Sequence, residues 1–167
     1  MPTSTPPSPW EILRLDHVAI AVPDLEASIK LYRDVFGSEL VERRVTEGRA
    51  TSMVSAVLKF GETTVVLVQG TSPESQVSRY VRAHGAGVQH LAFQVTNLAG
   101  LERTLRKRGA QFATTIINGT GIRQAFTRRD PESGMMIELI ERLEDDGRFT
   151  DESVAELFRQ LEENDLY

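Results

Sequence analysis

The sequence contains no cysteine, which excludes a disulfide framework and every thiolate metal site. Any metal held by this chain must therefore sit on nitrogen and oxygen. It also lacks an apolar run near the ~18 residues that a membrane-spanning helix needs. Met1 to Pro9 is rich in proline, serine and threonine and has no apolar segment of the kind a secretory signal carries. A cytoplasmic location with no membrane partner is expected, and residues 1–9 read as a disordered tail. Positive charge is not in excess: the formal net charge is -5, so no basic stripe exists to displace counterions from phosphates and no nucleic acid is expected as a partner. The one basic cluster, Arg103, Arg106, Lys107 and Arg108 beside Glu102, reads as the solvated face of a short helix.

What is present is a sentence written twice. Leu15-Asp16-His17-Val18-Ala19-Ile20-Ala21-Val22 leads to Asp24-Leu25 and a helix that Gly37 stops, and Val88-Gln89-His90-Leu91-Ala92-Phe93-Gln94-Val95 leads to Asn97-Leu98 and a helix that Gly109 stops. The two histidines stand 73 positions apart, the mark of an internal repeat. With 167 residues and 40% hydrophobic content the chain can bury one sizeable core. Two similar halves of one domain satisfy both observations.

Apolar alternation and turn residues predict the order within each half. A strand ends at Val22 and a helix capped by Asp24 follows; strands are then predicted over 39–46, 51–60 and 63–69. A linking helix spans 73–84. The second half repeats the order with a strand over 88–95, a helix over 98–108, and strands near 112–117, 122–128 and 135–142, with turns at Asn118-Gly119 and 131–134. The reading is α+β, two βαβββ modules over 10–70 and 86–142 in a single domain. A C-terminal helix over 148–165 places Val154, Leu157, Phe158 and Leu161 on one face. Its period does not decide between a seal on the core and a lid over a pocket.

The repeat aligns one more pair. Val66 follows His17 by 49 residues and Glu138 follows His90 by 48, so Val66 and Glu138 hold matching places in the last strand of each half. Four inward positions result, of which His17, His90 and Glu138 are metal donors and Val66 is not. A carboxylate among Met135, Met136, Ile137, Leu139 and Ile140 costs several kcal/mol to bury without a partner. A divalent cation removes that cost, and two imidazoles with one carboxylate match the set that holds non-haem Fe(II). The alternative is that Glu138 pairs with Arg128 or Arg142 and the histidines hydrogen-bond within the core.

The paired modules with His17, His90 and Glu138 resemble the vicinal oxygen chelate superfamily, which also holds the glyoxalases and bleomycin-resistance proteins. More narrowly, Pro23-Asp24-Leu25, Ser75-Gln76-Val77, Gln124-Ala125-Phe126-Thr127, Glu138-Leu139-Ile140-Glu141-Arg142 and the tail around Glu156-Leu157-Phe158 are similar to the catalytic half of the 4-hydroxyphenylpyruvate dioxygenase and 4-hydroxymandelate synthase family. That resemblance implies a cupped β-barrel and Fe(II), or Co, Mn, Ni or Zn, on His17, His90 and Glu138. It implies oxidative decarboxylation and hydroxylation of a metal-chelated 2-oxo acid with dioxygen, and a homodimer as the assembly. It makes Gln124 a polar substrate contact, Phe126 and Phe158 apolar walls, and Ser55 and Gln89 further pocket positions. Val68-Gln69-Gly70-Thr71 lacks the family's Pro-x-Asn segment, with Gln69 as the candidate substitute, and Val154 stands where the family has a phenylalanine, which together point to a different side chain on the substrate. The alternative within the superfamily is a metal-dependent epimerase or lyase of the methylmalonyl-CoA epimerase type. A metal-free binding protein ranks last.

Overall fold

The computed structural model describes residues 9–144 and 149–163. Positions 1–8 of the expected disordered tail, and positions 148, 164 and 165 of the expected C-terminal helix, lie outside the described residues.

The molecule is mixed α+β. Among the described residues four helices, α1 (Leu25–Lys30), α2 (Gln76–His84), α3 (Leu98–Lys107) and α4 (Asp151–Glu163), pack on one eight-stranded sheet. The strands are β1 (Ile12–Ala21), β2 (Glu39–Glu47), β3 (Ser52–Phe60), β4 (Thr63–Gly70), β5 (Gly87–Val95), β6 (Ile117–Gly119), β7 (Ile122–Phe126) and β8 (Met136–Arg142). Their order, β2-β3-β4-β1-β5-β8-β7-β6, is the same arrangement laid down twice about the junction between β1 and β5. Within each half the first strand pairs in parallel with the last, and β1 and β5 pair antiparallel to join the halves. The sheet curls into a half-barrel.

Side chains that share a register share a face. Val54, Ala56, Leu58, Val65 and Leu67 point outward, where Leu25 and Ile29 of α1 cover them. Asp24 caps α1 by accepting from the Ala27 amide at 2.9 Å, and the helix continues as a π-helical stretch over Leu31–Val35 from which Tyr32 packs, half-buried, against the same cluster. In the second half Leu98 and Leu101 of α3 cover Val95, Ala125 and Leu139 in the same way. Burying a leucine or isoleucine side chain stabilises by roughly 1.5–3 kcal/mol, so each helix is held by its own few side chains. The opposite, concave face carries His17, Ala19 and Ala21 of β1 beside Val66 and Val68 of β4. His90 and Ala92 of β5, Met136 and Glu138 of β8, and Gln124 and Phe126 of β7 continue that face.

The second half departs from prediction at its edge. Residues 112–116 do not form a strand; a single bridge joins Phe112 to Thr127. The Phe126 amide donates to the Thr114 hydroxyl at 3.0 Å, and the Thr115 amide donates to Gln160 of α4 at 2.9 Å. Side chains have taken the donors that a ladder needs. The hairpin turn lies at Thr120-Gly121 rather than Asn118-Gly119, because Gly119 pairs with Ile122 and it is Gly121 that adopts the positive φ of +67°.

α4 lies over the concave face. Thr150 and Ser153 exchange hydrogen bonds at its N-terminus, each hydroxyl accepting from the other's amide at 3.0 and 3.1 Å. Phe158 and Leu161 are buried, and Leu161 packs with Ala113, Phe126 and Met136. Polar contacts fix both ends: the Arg44 guanidinium donates to the carbonyls of Phe149 and Thr150, and Glu162 accepts from the Arg49 and Thr51 amides and the Thr51 hydroxyl.

Candidate metal centre

The two histidines face one another across the junction of the halves. His17 stands opposite Ala92 and His90 opposite Ala19, so each imidazole has a methyl group across from it and room to lie over the sheet. The rings meet edge-on, with centroids 5.6 Å apart. Glu138 pairs with Ala92 in the parallel register and so enters the same space.

Glu138 Oε2 lies 3.1 Å from His17 Nε2 and 3.4 Å from His90 Nε2, and one donor atom from each of the three residues falls within 4.8 Å of the others. Donors about 2.1 Å from one ion in adjacent coordination positions stand about 3 Å apart, and both carboxylate–imidazole spacings match that. The other carboxylate oxygen, Glu138 Oε1, is buried with no hydrogen-bond partner. A buried carboxylate half provided for is costly, and a divalent ion on the donor set His17, His90 and Glu138 offsets that cost. The residues fit a metal. Among the described residues this is the one cluster of its kind.

Electrostatics bind the cluster together. Burial works against protonation of His17, but the charge of Glu138 and the hydrogen bond to Asp16 outweigh it, so its pKa is pushed up to about 9. His90 goes the other way because burial dominates. Burial also works against ionisation of Glu138, and the charge of His17 beside it wins, holding the carboxyl down to about 2.

The remaining predicted site residues divide. Phe126 is buried with its ring edge-on to His90 at 5.2 Å. Gln124 is 1% exposed, two residues along β7 on the concave face, and its Nε2 has no partner. Phe158 is buried on α4, where its backbone carbonyl accepts from Gln76 Nε2 at 3.2 Å. Gln89 is buried, and its Oε1 is 3.0 Å from His90 Nδ1. Ser55 of β3 pairs with Val68 and so shares the concave face, and it also lines a cleft of about 300 Å³ with Arg43, Arg44 and Gln69.

Sequence reasoning missed the roles of three residues around the centre. The Asp16 carboxylate is 3.0 Å from His17 Nδ1, and Arg142 grips it through Nε and Nη2, both at 2.9 Å. Arg142 thus pairs with Asp16 rather than with Glu138. The sequence signal was a polar acceptor directly before each histidine, Asp16 in one copy and Gln89 in the other. Phe149, whose ring meets His17 edge-on at 5.9 Å, had no such signal.

Comparison with known proteins supplies the rest. The profile described as "Glyoxalase/Bleomycin resistance protein/Dioxygenase superfamily" matches residues 14–139. Mouse mitochondrial methylmalonyl-CoA epimerase is 31% identical over 100 residues, 59% of this chain and 55% of that enzyme. The chain thus spans about half the length of the mammalian relatives it matches. Among solved structures, a triple mutant of 4-hydroxymandelate synthase from Streptomyces coelicolor superposes with a TM-score of 0.79 at 24% identity, covering 90% of this chain and 54% of that one. A variant of Streptomyces coelicolor methylmalonyl-CoA epimerase in complex with 2-nitronate-propionyl-CoA superposes with a TM-score of 0.68 at 25% identity, covering 80% of this chain and 100% of that one. The doubled strand order, the concave face it builds and the matching profile agree: the chain belongs to the glyoxalase/bleomycin resistance protein/dioxygenase superfamily.

Proposed function

We propose that this chain is a divalent-metal enzyme that holds a small acyl substrate through oxygen and moves a proton beside its carbonyl, in the manner of an epimerase. The observation that carries this reading is the division of labour within Glu138. Oε2 faces both imidazoles, whereas Oε1 is buried without a partner, which leaves Oε1 as the atom to take the proton from one face of the carbon, with return to the opposite face falling to a second proton donor. His17, His90 and Glu138 Oε2 would hold the metal, which when bound stabilises negative charge developing on the substrate oxygen. Gln124 Nε2, a buried donor with nothing to donate to, orients a second substrate oxygen. Phe126 on the wall and Phe158 on α4 keep water away from the reacting carbon. The relatives favour this reading over oxygen chemistry: the mouse, human and bovine matches are all methylmalonyl-CoA epimerases. An epimerase neighbour is in complex with 2-nitronate-propionyl-CoA, and an acyl thioester is accordingly the first substrate class to test.

A second reading, an Fe(II)-dependent dioxygenase acting on a 2-oxo acid, draws on Val66. This valine shares the concave face with His17 at the place that answers to Glu138, so the protein offers three donors and leaves about three positions of a six-coordinate ion to substrate and oxygen. One pair of assays separates the readings. Chain loaded with Co(II), and separately with Fe(II) without oxygen, is given acyl thioesters in D2O and followed by proton NMR. The epimerase-type reading expects metal-dependent deuterium at the α-carbon. No exchange, together with oxygen uptake and carbon dioxide release from a panel of 2-oxo acids, would replace it with the second reading.

A further inference from the structure

We infer that Asp16 and Gln89 are the positioning residues of the two imidazoles and that they hold them unequally, Asp16 as a clamped anion on His17 and Gln89 as a neutral amide on His90. The inference rests on reading His17, His90 and Glu138 as one metal site.

Neighbours along a strand normally point to opposite faces, so neither residue should reach the histidine that follows it. The register of β1 against β5 explains how both do. Leu15 pairs with Phe93 and His17 with Ala92, so Asp16 is an extra residue in β1; Ala19 pairs with His90 and Ile20 with Val88, so Gln89 is an extra residue in β5. Each is a β-bulge, the device that re-aims a side chain within a ladder. Each bulge falls directly before a histidine, on opposite strands of the junction.

The consequences differ in strength. A carboxylate offers only acceptors, so it requires a proton on His17 Nδ1 and leaves the Nε2 lone pair facing Glu138 and the metal. Asp16 cannot turn away. Its side chain is 6% exposed, Oδ1 accepts from both His17 and Arg142 Nη2, and Oδ2 accepts from Arg142 Nε. Arg142 sits four residues beyond Glu138 on β8, so the clamp ties the first and third ligand strands together across β5. A glutamine amide can present either oxygen or nitrogen, so Gln89 fixes the His90 tautomer less firmly, and it carries no charge to strengthen the imidazole as a donor.

The test is Co(II) binding, by chelator competition and visible absorption, to wild type, Asp16→Asn, Gln89→Ala and Gln89→Glu. Loss of a partner to a ligating histidine typically costs 10–100-fold in metal affinity. Asp16→Asn is expected at the upper end of that range, about 100-fold, with a changed spectrum, and Gln89→Ala at about tenfold. Gln89→Glu, which gives His90 an anionic partner, is expected to tighten binding several-fold, and it keeps the inference testable should Asp16→Asn fold poorly. Unchanged affinity and spectrum in Asp16→Asn, equal losses in Asp16→Asn and Gln89→Ala, or no tightening in Gln89→Glu would each overturn the inference. If Asp16 were only a structural ion-pair partner, Asp16→Asn would melt earlier yet bind Co(II) like wild type. Failure of wild type itself to bind one equivalent would instead remove the metal site.

Discussion

The first module, β1 to β4, brings His17 to the concave face and, at the place that answers to Glu138, brings Val66; the second, β5 to β8, brings His90 and Glu138. The outer layers differ as well. β2 and β3 are each nine residues long, whereas β6 has three and β7 five. The donors that would lengthen the second edge are spent on Thr114 and on Gln160 of α4. Strand order, parallel pairing and helix packing follow what the copies share. Ligand count, the charge beside each imidazole and the docking of α4 follow what they do not.

The comparison can be broken most severely by making the second module copy the first. Glu138→Val places valine at both matching positions and is expected to abolish stoichiometric metal binding, read by elemental analysis after anaerobic loading. Next in size are two core truncations that ask whether the helices are equivalent. Ile29→Ala in α1 and Leu101→Ala in α3 remove side chains 2% and 0% exposed, and each is expected to cost about 2–5 kcal/mol. Urea melts should find the two losses alike.

Making the first module copy the second is a smaller change. Val66→Glu adds a fourth donor and is expected to tighten Co(II) binding by about tenfold, some 1.4 kcal/mol, measured by chelator competition; an unaltered affinity would show that this corner lies out of reach. The smallest effect concerns α4, which rests on the β2–β3 turn of the first module. Burial works against ionisation of Glu162, and hydrogen bonds from Thr51 and neighbouring amides outweigh it, so its folded pKa lies below the ordinary 4.5. Its contribution is therefore present above that value and is lost as pH falls below it toward the lower folded pKa. Proteolysis within α4 is expected to speed up a few-fold as pH drops through that window, and Glu162→Gln should remove the pH dependence.

The doubled strand, helix and sheet order could be read in the sequence because His17-Val18-Ala19 and His90-Leu91-Ala92 stand in the same frame, with their caps and closing glycines following in step. The grouping of His17, His90 and Glu138 was legible for the same reason, since a repeat fixes matching positions without any knowledge of the turns between them. Asp16 and Gln89 stayed hidden because strand reasoning assumes a period of two, and a bulge is where that period fails. The edge of the second module was misread because its amides are satisfied by side chains from elsewhere, Thr114 and Gln160, a tertiary choice with no local signature. The contact of Phe149 with His17 is likewise a matter of docking. The amphipathic face of α4 announces only that it must dock somewhere.

The account stands on a single ion shared by three side chains, and a structure of metal-loaded crystals with anomalous scattering at the metal edge tests it directly. It predicts one peak per chain, about 2.0–2.2 Å from His17 Nε2, His90 Nε2 and a Glu138 oxygen, with nothing coordinating from the Val66 side. A peak elsewhere, or fully loaded crystals in which Glu138 turns away to another partner, would contradict it.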